Sequence, residues 1–333
     1  MLDYNKYIIV QIEMKILVTG GNGFIGSHLL DSLAEDGHES ASFDATLNFS
    51  DKPRYYKRCL AIRKRYLKNK PAKEYVGDIR KINNIKYAIR DFKPEVVVHL
   101  AGLPMARVAK HHERAMSPIN MLGTINVLKA FEAETSARRI VYTSSSMAYG
   151  HFKQMPQGED FLLTPENEYG AAKAAGEYYT RLSRKEWVIA RPTSVYGLTD
   201  CANRVTQLLL DAAHMKKSVW VVRGETLDFS YIKDVVDGFK LLITKPIACR
   251  QTFNVSSGEA RAVTEFASIV KSYFPKFEYE IREPSSQQVY RGPLDISKAK
   301  KVLKYRPHYS IEKGIKEIMM LIKEYKFYDF KYD

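Results

Sequence analysis

An α/β fold is predicted for this chain: a Rossmann-type, doubly wound parallel sheet with a smaller mixed α/β C-terminal lobe. Three observations predict it. Short apolar runs of strand length alternate with amphipathic helical stretches through the first half. Runs such as Val96–Leu100 (VVVHL) are apolar on both faces, which fits strands covered by helices on both sides. A glycine-rich turn, TGGNGFIG at 19–26, joins the first strand to the first helix.

The elements follow in order. KILVTG (15–20) reads as the first strand. FIGSHLLDSLAEDG is the first helix, with Ile25, Leu29, Leu30 and Leu33 on one face and Gly37 at its end. SASFD (40–44) is a second strand, and VVVHL lies beyond a proline. NMLGTINVLKAFEAE (120–134) is helical, RRIVYTSSS (138–146) runs from strand into loop, and EYGAAKAAGEYYTRLSRK (168–185) is an Ala-rich helix. EWVIARPTSVYG (186–197) returns to a strand. After Gly197 the alternation loosens into short strands such as SVWVVRG, QTFNVSSG and FEYEIRE among helices. The expected organisation is an extension at 1–13, a dinucleotide domain at 14–197, and a mainly substrate-binding lobe at 198–333, partly interleaved with the first. Met14 opens MKILVTG, which is why the residues before it are set apart.

Composition narrows the function. The chain has 333 residues, 45% of them hydrophobic, enough for a sizeable core and too many for a disordered chain. No apolar run approaches the roughly 18 residues of a membrane helix, and residues 1–15 lack the form of a signal peptide. Cys59, Cys201 and Cys249 are odd in number and far apart. They point to free thiols in a reducing cytoplasm, with no metal site. Much of the +14 net charge sits between Lys52 and Lys73. That stretch is read as a solvated basic helix or loop, with attraction to nucleic acid or an anionic membrane as the alternative.

Gly20, Gly23 and Gly26 have the spacing GxxGxxG. The first permits a tight turn, the second lets backbone approach a pyrophosphate, and the third lets helix pack on strand. The helix start at Phe24, Ile25 and Gly26 offers N–H groups and a positive dipole end to phosphates. Asp44 ends the second strand about 20 residues on, where an acid accepts from ribose hydroxyls and repels a 2′-phosphate, so NAD is expected over NADP. Asp78, in VGDI, is a second acidic candidate, placed for the adenine amino group or as a turn cap.

Tyr169 and Lys173 lie at i and i+4 and share a helix face. A free tyrosine, with a pKa of about 10, is too weakly acidic to serve as a base at neutral pH. An adjacent ammonium and a cationic nicotinamide both favour the phenolate, so Tyr169 can take a proton from a sugar hydroxyl. One serine of YTSSSMAYG (142–150) is placed to hydrogen-bond the reacting oxygen.

These residues resemble the extended short-chain dehydrogenase/reductases, in the nucleotide-sugar epimerase and dehydratase branch. TGGNGFIG, VGDI, VVVHLAG, NMLGTINVL, YTSSSMAYG, YGAAK, RPTSVYG, DFSYIKDVVDG, TFNVSSG and LDISKAKKVLKYRP fall in the family's order from Met14 almost to the end. The resemblance implies that Gly20, Gly23 and Gly26 cradle the NAD pyrophosphate and that Asp44 holds ribose. It implies that Asp78 and Ile79 flank adenine, that Ala101 and Gly102 pass under the cofactor, and that Asn120 braces the strand ends. Lys173 would bind the nicotinamide ribose and tune Tyr169. The SxxxYG pattern, counted back from Tyr149, selects Ser145 as the catalytic serine.

Three departures bear on function. Ser145 is followed by Ser146 and Met147, without the acid that marks dehydratases and decarboxylases, so elimination of water is disfavoured. Leu227 stands where an arginine often clamps the diphosphate, and Ser194 where asparagine is frequent. Arg223 and Arg291 are the remaining candidates for the phosphates, with Ser194 also in the substrate set. The expectation is an NAD-dependent nucleotide-diphospho-sugar epimerase, acting at C4 through a 4-keto intermediate. The alternatives are a net 4-oxidoreductase or dehydratase, or an NAD-sensing or nucleic-acid-binding module using the basic stretch. The family also implies a homodimer through helices 118–134 and 169–184, with Ala171, Ala172, Ala174, Ala175 and Gly176 allowing close approach.

Overall fold

The computed structural model describes residues 13–46, 53–104, 113–284 and 291–329. The expected N-terminal extension, Glu13 aside, and Lys52 of the basic stretch lie outside these residues. Seven strands form one parallel sheet: β1 (Lys15–Thr19), β2 (Glu39–Asp44), β3 (Lys73–Val76), β4 (Val96–His99), β5 (Arg139–Thr143), β6 (Glu186–Pro192) and β7 (Gln251–Val255). Their spatial order is β7-β6-β5-β4-β1-β2-β3. Strand order reverses between β1 and β4, which pair in parallel with Ile16 beside Val96 and Thr19 beside His99. A reversal opens a crevice at the carboxyl ends of these strands, because the helices that follow them go to opposite faces.

The longer helices are α1 (Phe24–Glu35), α2 (Pro53–Tyr66), α3 (Ile82–Phe92), α4 (Gly123–Ala133), α5 (Glu168–Arg181), α6 (Val205–Met215) and α7 (Ile232–Thr244), with two more near the C-terminus at Val263–Tyr273 and Ile311–Glu324. The doubly apolar strands explain the layering. On one face Ile16, Val18, Val96, Val98 and Val141 pack with Leu29 and Leu33 of α1 and Phe239 and Leu242 of α7. On the other, Leu17, Val97, Ile140 and Ile189 pack with Ile85 and Ile89 of α3 and Val127 and Phe131 of α4. Each of these side chains is buried, worth about 1.5–3 kcal/mol apiece in area removed from water.

The C-terminal half does not stand apart. It supplies β7 at the sheet edge and α7 on the face of α1. Its remaining strands are short pairs: Val195–Tyr196 with Ser230–Tyr231, Thr226–Asp228 with Ala260–Ala262, and Trp220–Val222 with Glu280–Arg282.

One strand was not expected, and two expectations need correction. The strand KEYV (73–76) escapes the pattern because it is the sheet edge, where only Tyr75 is buried. The basic stretch forms α2, and Arg54, Lys57, Lys64 and Arg65 are exposed as expected, but Arg63 is 3% exposed and points inward. Three of the five small residues of α5 expected at a dimer seam pack within their own chain, whereas Ala171 is exposed. Ala172, Ala174 and Gly176 are buried, and a Cβ on Gly176 would sit 2.0 Å from the Tyr142 hydroxyl.

Candidate active site

A cleft of about 900 Å³ opens over the strand reversal. Its floor begins with the glycine turn. Gly20 has φ +74°, and a Cβ there would lie 2.7 Å from the Ala101 amide nitrogen. A Cβ on Gly26 would lie 2.2 Å from the Gly20 carbonyl oxygen. Only glycine lets β1, α1 and the loop after β4 come together this closely. Gly23 caps α1 with no side-chain hydrogen bond, and Gly23, Phe24, Ile25 and Gly26 all line the cleft. The first N–H groups of α1 thus meet the cavity at the positive end of the helix.

Asp44 ends β2 at the cleft wall. Its carboxylate accepts from the Asn22 N–H (3.1 Å) and the Thr46 N–H (2.7 Å). Burial raises this carboxyl above its ordinary range, opposed by those two backbone bonds and by the Arg63 charge. Asp78 and Ile79 also line the cleft. Burial would raise the Asp78 carboxyl, but bonds from the Arg80 side chain and N–H outweigh it and hold it below the usual range. Asn126 fixes this segment by donating to the Ile79 and Arg80 carbonyls.

Ala101 and Gly102 follow β4 along the floor. Asn120 lies behind them, 2% exposed. It clasps Leu103, accepting from that residue's N–H (2.7 Å) and donating to its carbonyl (3.2 Å). It braces the loop and is not itself part of the wall. A Cβ on Gly102 would lie 3.0 Å from Asn120 Oδ1 and 3.8 Å from Lys173 Nζ.

Ser145, Tyr169 and Lys173 all line the cleft. Ser145 starts a short 3-10 turn, and its hydroxyl accepts from the Met147 N–H at 3.2 Å. Its own proton remains available to a reacting oxygen. Asn167 caps α5 by accepting from the Gly170 N–H at 2.9 Å, which sets the phase that turns Tyr169 and Lys173 inward. Lys173 Nζ donates to the Thr143 carbonyl at 2.8 Å and stands 5.9 Å from the Tyr169 ring centre. Burial pushes this ammonium down from 10.5 to about 8.

The opposite wall comes from the C-terminal half. Ser194 lines it, as does Leu227. Arg291 is largely enclosed there, and its Nε has no hydrogen-bond partner among the described residues. Burial pushes its guanidinium below the ordinary range, against the nearby Glu225. Asp228 anchors the approach to Arg291 by accepting from the Leu294 N–H (3.0 Å), the Gly258 N–H (3.2 Å) and the Ser257 hydroxyl (2.6 Å). Arg223, the other candidate, is not in the wall. It is 62% exposed and pairs with Glu283 at 2.6 Å.

Sequence reasoning missed Tyr56, Asp200 and Arg204, which also line the cleft. Asp200 is 1% exposed and pairs with Arg204 at 2.6 Å. Burial would lower the Arg204 guanidinium, but the Asp200 carboxylate outweighs it and raises it. No periodicity marks this pair, because it sits on an irregular turn with positive φ at Thr199 and Asn203. Tyr56 could have been found from α2, where it follows the buried Tyr55.

The residues present fit a dinucleotide: an uncapped helix start, a glycine cradle that a Cβ would fill, and an acid at the second strand end. The family model described as the NAD-dependent epimerase/dehydratase family matches residues 16–256. A UDP-glucose 4-epimerase of Mycolicibacterium smegmatis is 28% identical, covering 91% of this chain and 96% of that protein. UDP-glucuronic acid decarboxylase 1 of Danio rerio is 26% identical, over 93% of this chain and 73% of its own length. The solved UDP-glucose 4-epimerase of Thermotoga maritima, bound to UDP-glucose, superposes with a TM-score of 0.81 at 24% identity, covering 93% of this chain and 99% of that one. With the glycine cradle and the parallel sheet that carries it, these matches show that the chain belongs to the NAD-dependent epimerase/dehydratase family and that its cofactor is NAD.

Proposed function

We propose that the protein epimerises a nucleotide-diphospho-sugar at C4 through a 4-keto intermediate. The observation that carries this reading is that Ser145, Tyr169 and Lys173 line the same cleft as the glycine cradle, with Ser146 and Met147 in place of a second acid. When bound, NAD supplies a hydride acceptor that can return the hydride to either face of the sugar. The protein's part is proton transfer and orientation. Tyr169 takes the 4-hydroxyl proton and later returns it. Lys173 holds a positive charge beside the phenol, and the Ser145 hydroxyl donates to the reacting oxygen. The missing acid–base pair leaves nothing to expel a neighbouring hydroxyl, which favours epimerisation over dehydration.

The partly unsatisfied Arg291 suits the diphosphate, and Ser194 and Arg204 suit the sugar. The relatives named for UDP-glucose favour a UDP-sugar. In this reading the glycine turn, Phe24, Ile25, Asp44, Asp78, Ile79, Ala101 and Gly102 hold NAD, residues 14–197 carry the cofactor, and 198–333 mainly the substrate. We also propose a homodimer. Met121, Leu122, Tyr178 and Leu182 leave apolar surface exposed on the adjoining faces of α5 and the turn before α4.

The test is a panel of nucleotide sugars followed by nuclear magnetic resonance with the wild type and Tyr169→Phe. Conversion of one 4-epimer into the other without net NADH is expected, and Tyr169→Phe should lower turnover by roughly 10²–10⁴. Stoichiometric NADH would indicate a net oxidoreductase. Turnover of Tyr169→Phe equal to wild type would refute the assignment of the base. Strong, salt-dependent RNA binding with no sugar converted would favour the binding module instead.

A further inference from the structure

Arg63 belongs to the basic stretch but does not share its exposure. Its guanidinium makes three hydrogen bonds. Nη1 donates to the Asn22 carbonyl at 2.8 Å, Nη2 to the Thr199 carbonyl at 2.7 Å, and Nε to Thr199 Oγ1 at 3.1 Å. Asn22 lies inside the glycine turn, and its own N–H donates to Asp44. Thr199 is 136 residues further along the chain from Arg63, directly before Asp200, whose carboxylate holds Arg204 at the cleft. One side chain therefore joins the turn that cradles the dinucleotide to the turn that presents Asp200 and Arg204.

Thr199 shows that the second turn needs this brace. Its φ is 72°, a left-handed conformation that a β-branched residue adopts only at a cost. Its carbonyl and hydroxyl both accept from Arg63, which ties that conformation to the guanidinium. The planar fork of arginine can reach both loops together, whereas a lysine ammonium would reach them only as a point charge. Tyr66, one helical turn on, places its hydroxyl 3.5 Å from the Leu198 carbonyl and gives a weaker second brace.

We propose that Arg63 is a positioning residue that couples the dinucleotide turn to the 199–204 turn, so that ordering of the first by NAD also orders the second. The proposal rests on NAD occupying the glycine cradle and not on the identity of the sugar. It assigns a task to one residue of a stretch read from sequence as a solvated basic helix or loop.

Hydrogen–deuterium exchange read by mass spectrometry, with and without saturating NAD, tests it on the full chain. In the wild type, NAD should slow exchange both at 20–27 and at 198–204. In Arg63→Met, protection at 20–27 should remain while protection at 198–204 is lost. NAD affinity should weaken about tenfold, the worth of one charge-assisted hydrogen bond. Arg63→Lys should not restore protection at 198–204. Should Arg63→Met fail to fold, Thr199→Gly serves instead. Glycine accepts φ 72° without strain and lacks Oγ1, so NAD-induced protection at 198–204 should shrink. Protection at 198–204 that is absent in the wild type, or that persists in a folded Arg63→Met or undiminished in Thr199→Gly, overturns the proposal. Protection missing from 20–27 as well would overturn the cofactor's placement and the coupling with it.

Discussion

Replacing Lys173 by methionine should remove activity and yet stabilise the fold. The ammonium is 7% exposed, and burial pushes it from 10.5 down to about 8. At about 1.4 kcal/mol per pKa unit, charging it inside the protein costs about 3 kcal/mol at pH 7. Methionine has similar length and no charge, so Lys173→Met relieves that cost. It also loses the bond to the Thr143 carbonyl, worth about 1 kcal/mol for a neutral donor. The variant should therefore be about 2 kcal/mol more stable than wild type at pH 7. The pH dependence has a definite sign. Folded Lys173 titrates below its unfolded value, so between about pH 8 and 10.5 the unfolded chain binds more protons and wild-type stability rises with pH. The difference between the proteins should shrink and reverse across that window. Urea melts of both proteins without NAD, from pH 7 to 10, measure this. Turnover and NAD affinity should both fall in the variant, since the lost cation stands beside Tyr169 and the cofactor floor. A variant that is less stable than wild type at pH 7, with an unchanged denaturant slope, would show that the cost of the buried charge is outweighed at this site by what the lysine holds together.

Three further outcomes are expected. Calorimetry should show tighter binding of NAD than NADP, with the gap narrowed in Asp44→Asn, and NADP binding at least as tightly to wild type would undo the ribose assignment. Arg291→Met should raise KM for the nucleotide sugar by roughly 10–100-fold with little change in NAD affinity, as expected for lost charged hydrogen bonds. Arg223→Met should stay within about twofold, because exposed ion pairs contribute little. Light scattering at micromolar concentration should report a dimer, and Leu182→Lys should shift it toward monomer. A wild-type monomer would refute the interface.

The sequence by itself determined the parallel sheet, because its strand runs are apolar on both faces and its helices are amphipathic. It also located the glycine cradle, Asp44, and the Tyr169–Lys173 face, since each depends on neighbours within a turn or at one strand end. Local pattern carries that information because helix and strand periods are set by backbone geometry. It did not reveal the edge strand at 73–76, where exposure on an outer strand erases the apolar alternation. It could not choose between Arg223 and Arg291. Both are arginines followed by glycine, and only packing puts one on the surface and the other in the wall. The same holds for Arg63 among the basic residues of α2, and for Gly176 of α5, whose lack of a side chain admits Tyr142 of the sheet. Those outcomes depend on contacts between segments well separated along the chain, 60 residues for Arg223 with Glu283 and 136 for Arg63 with Thr199, and the tertiary structure alone decides which polar groups meet across such distances.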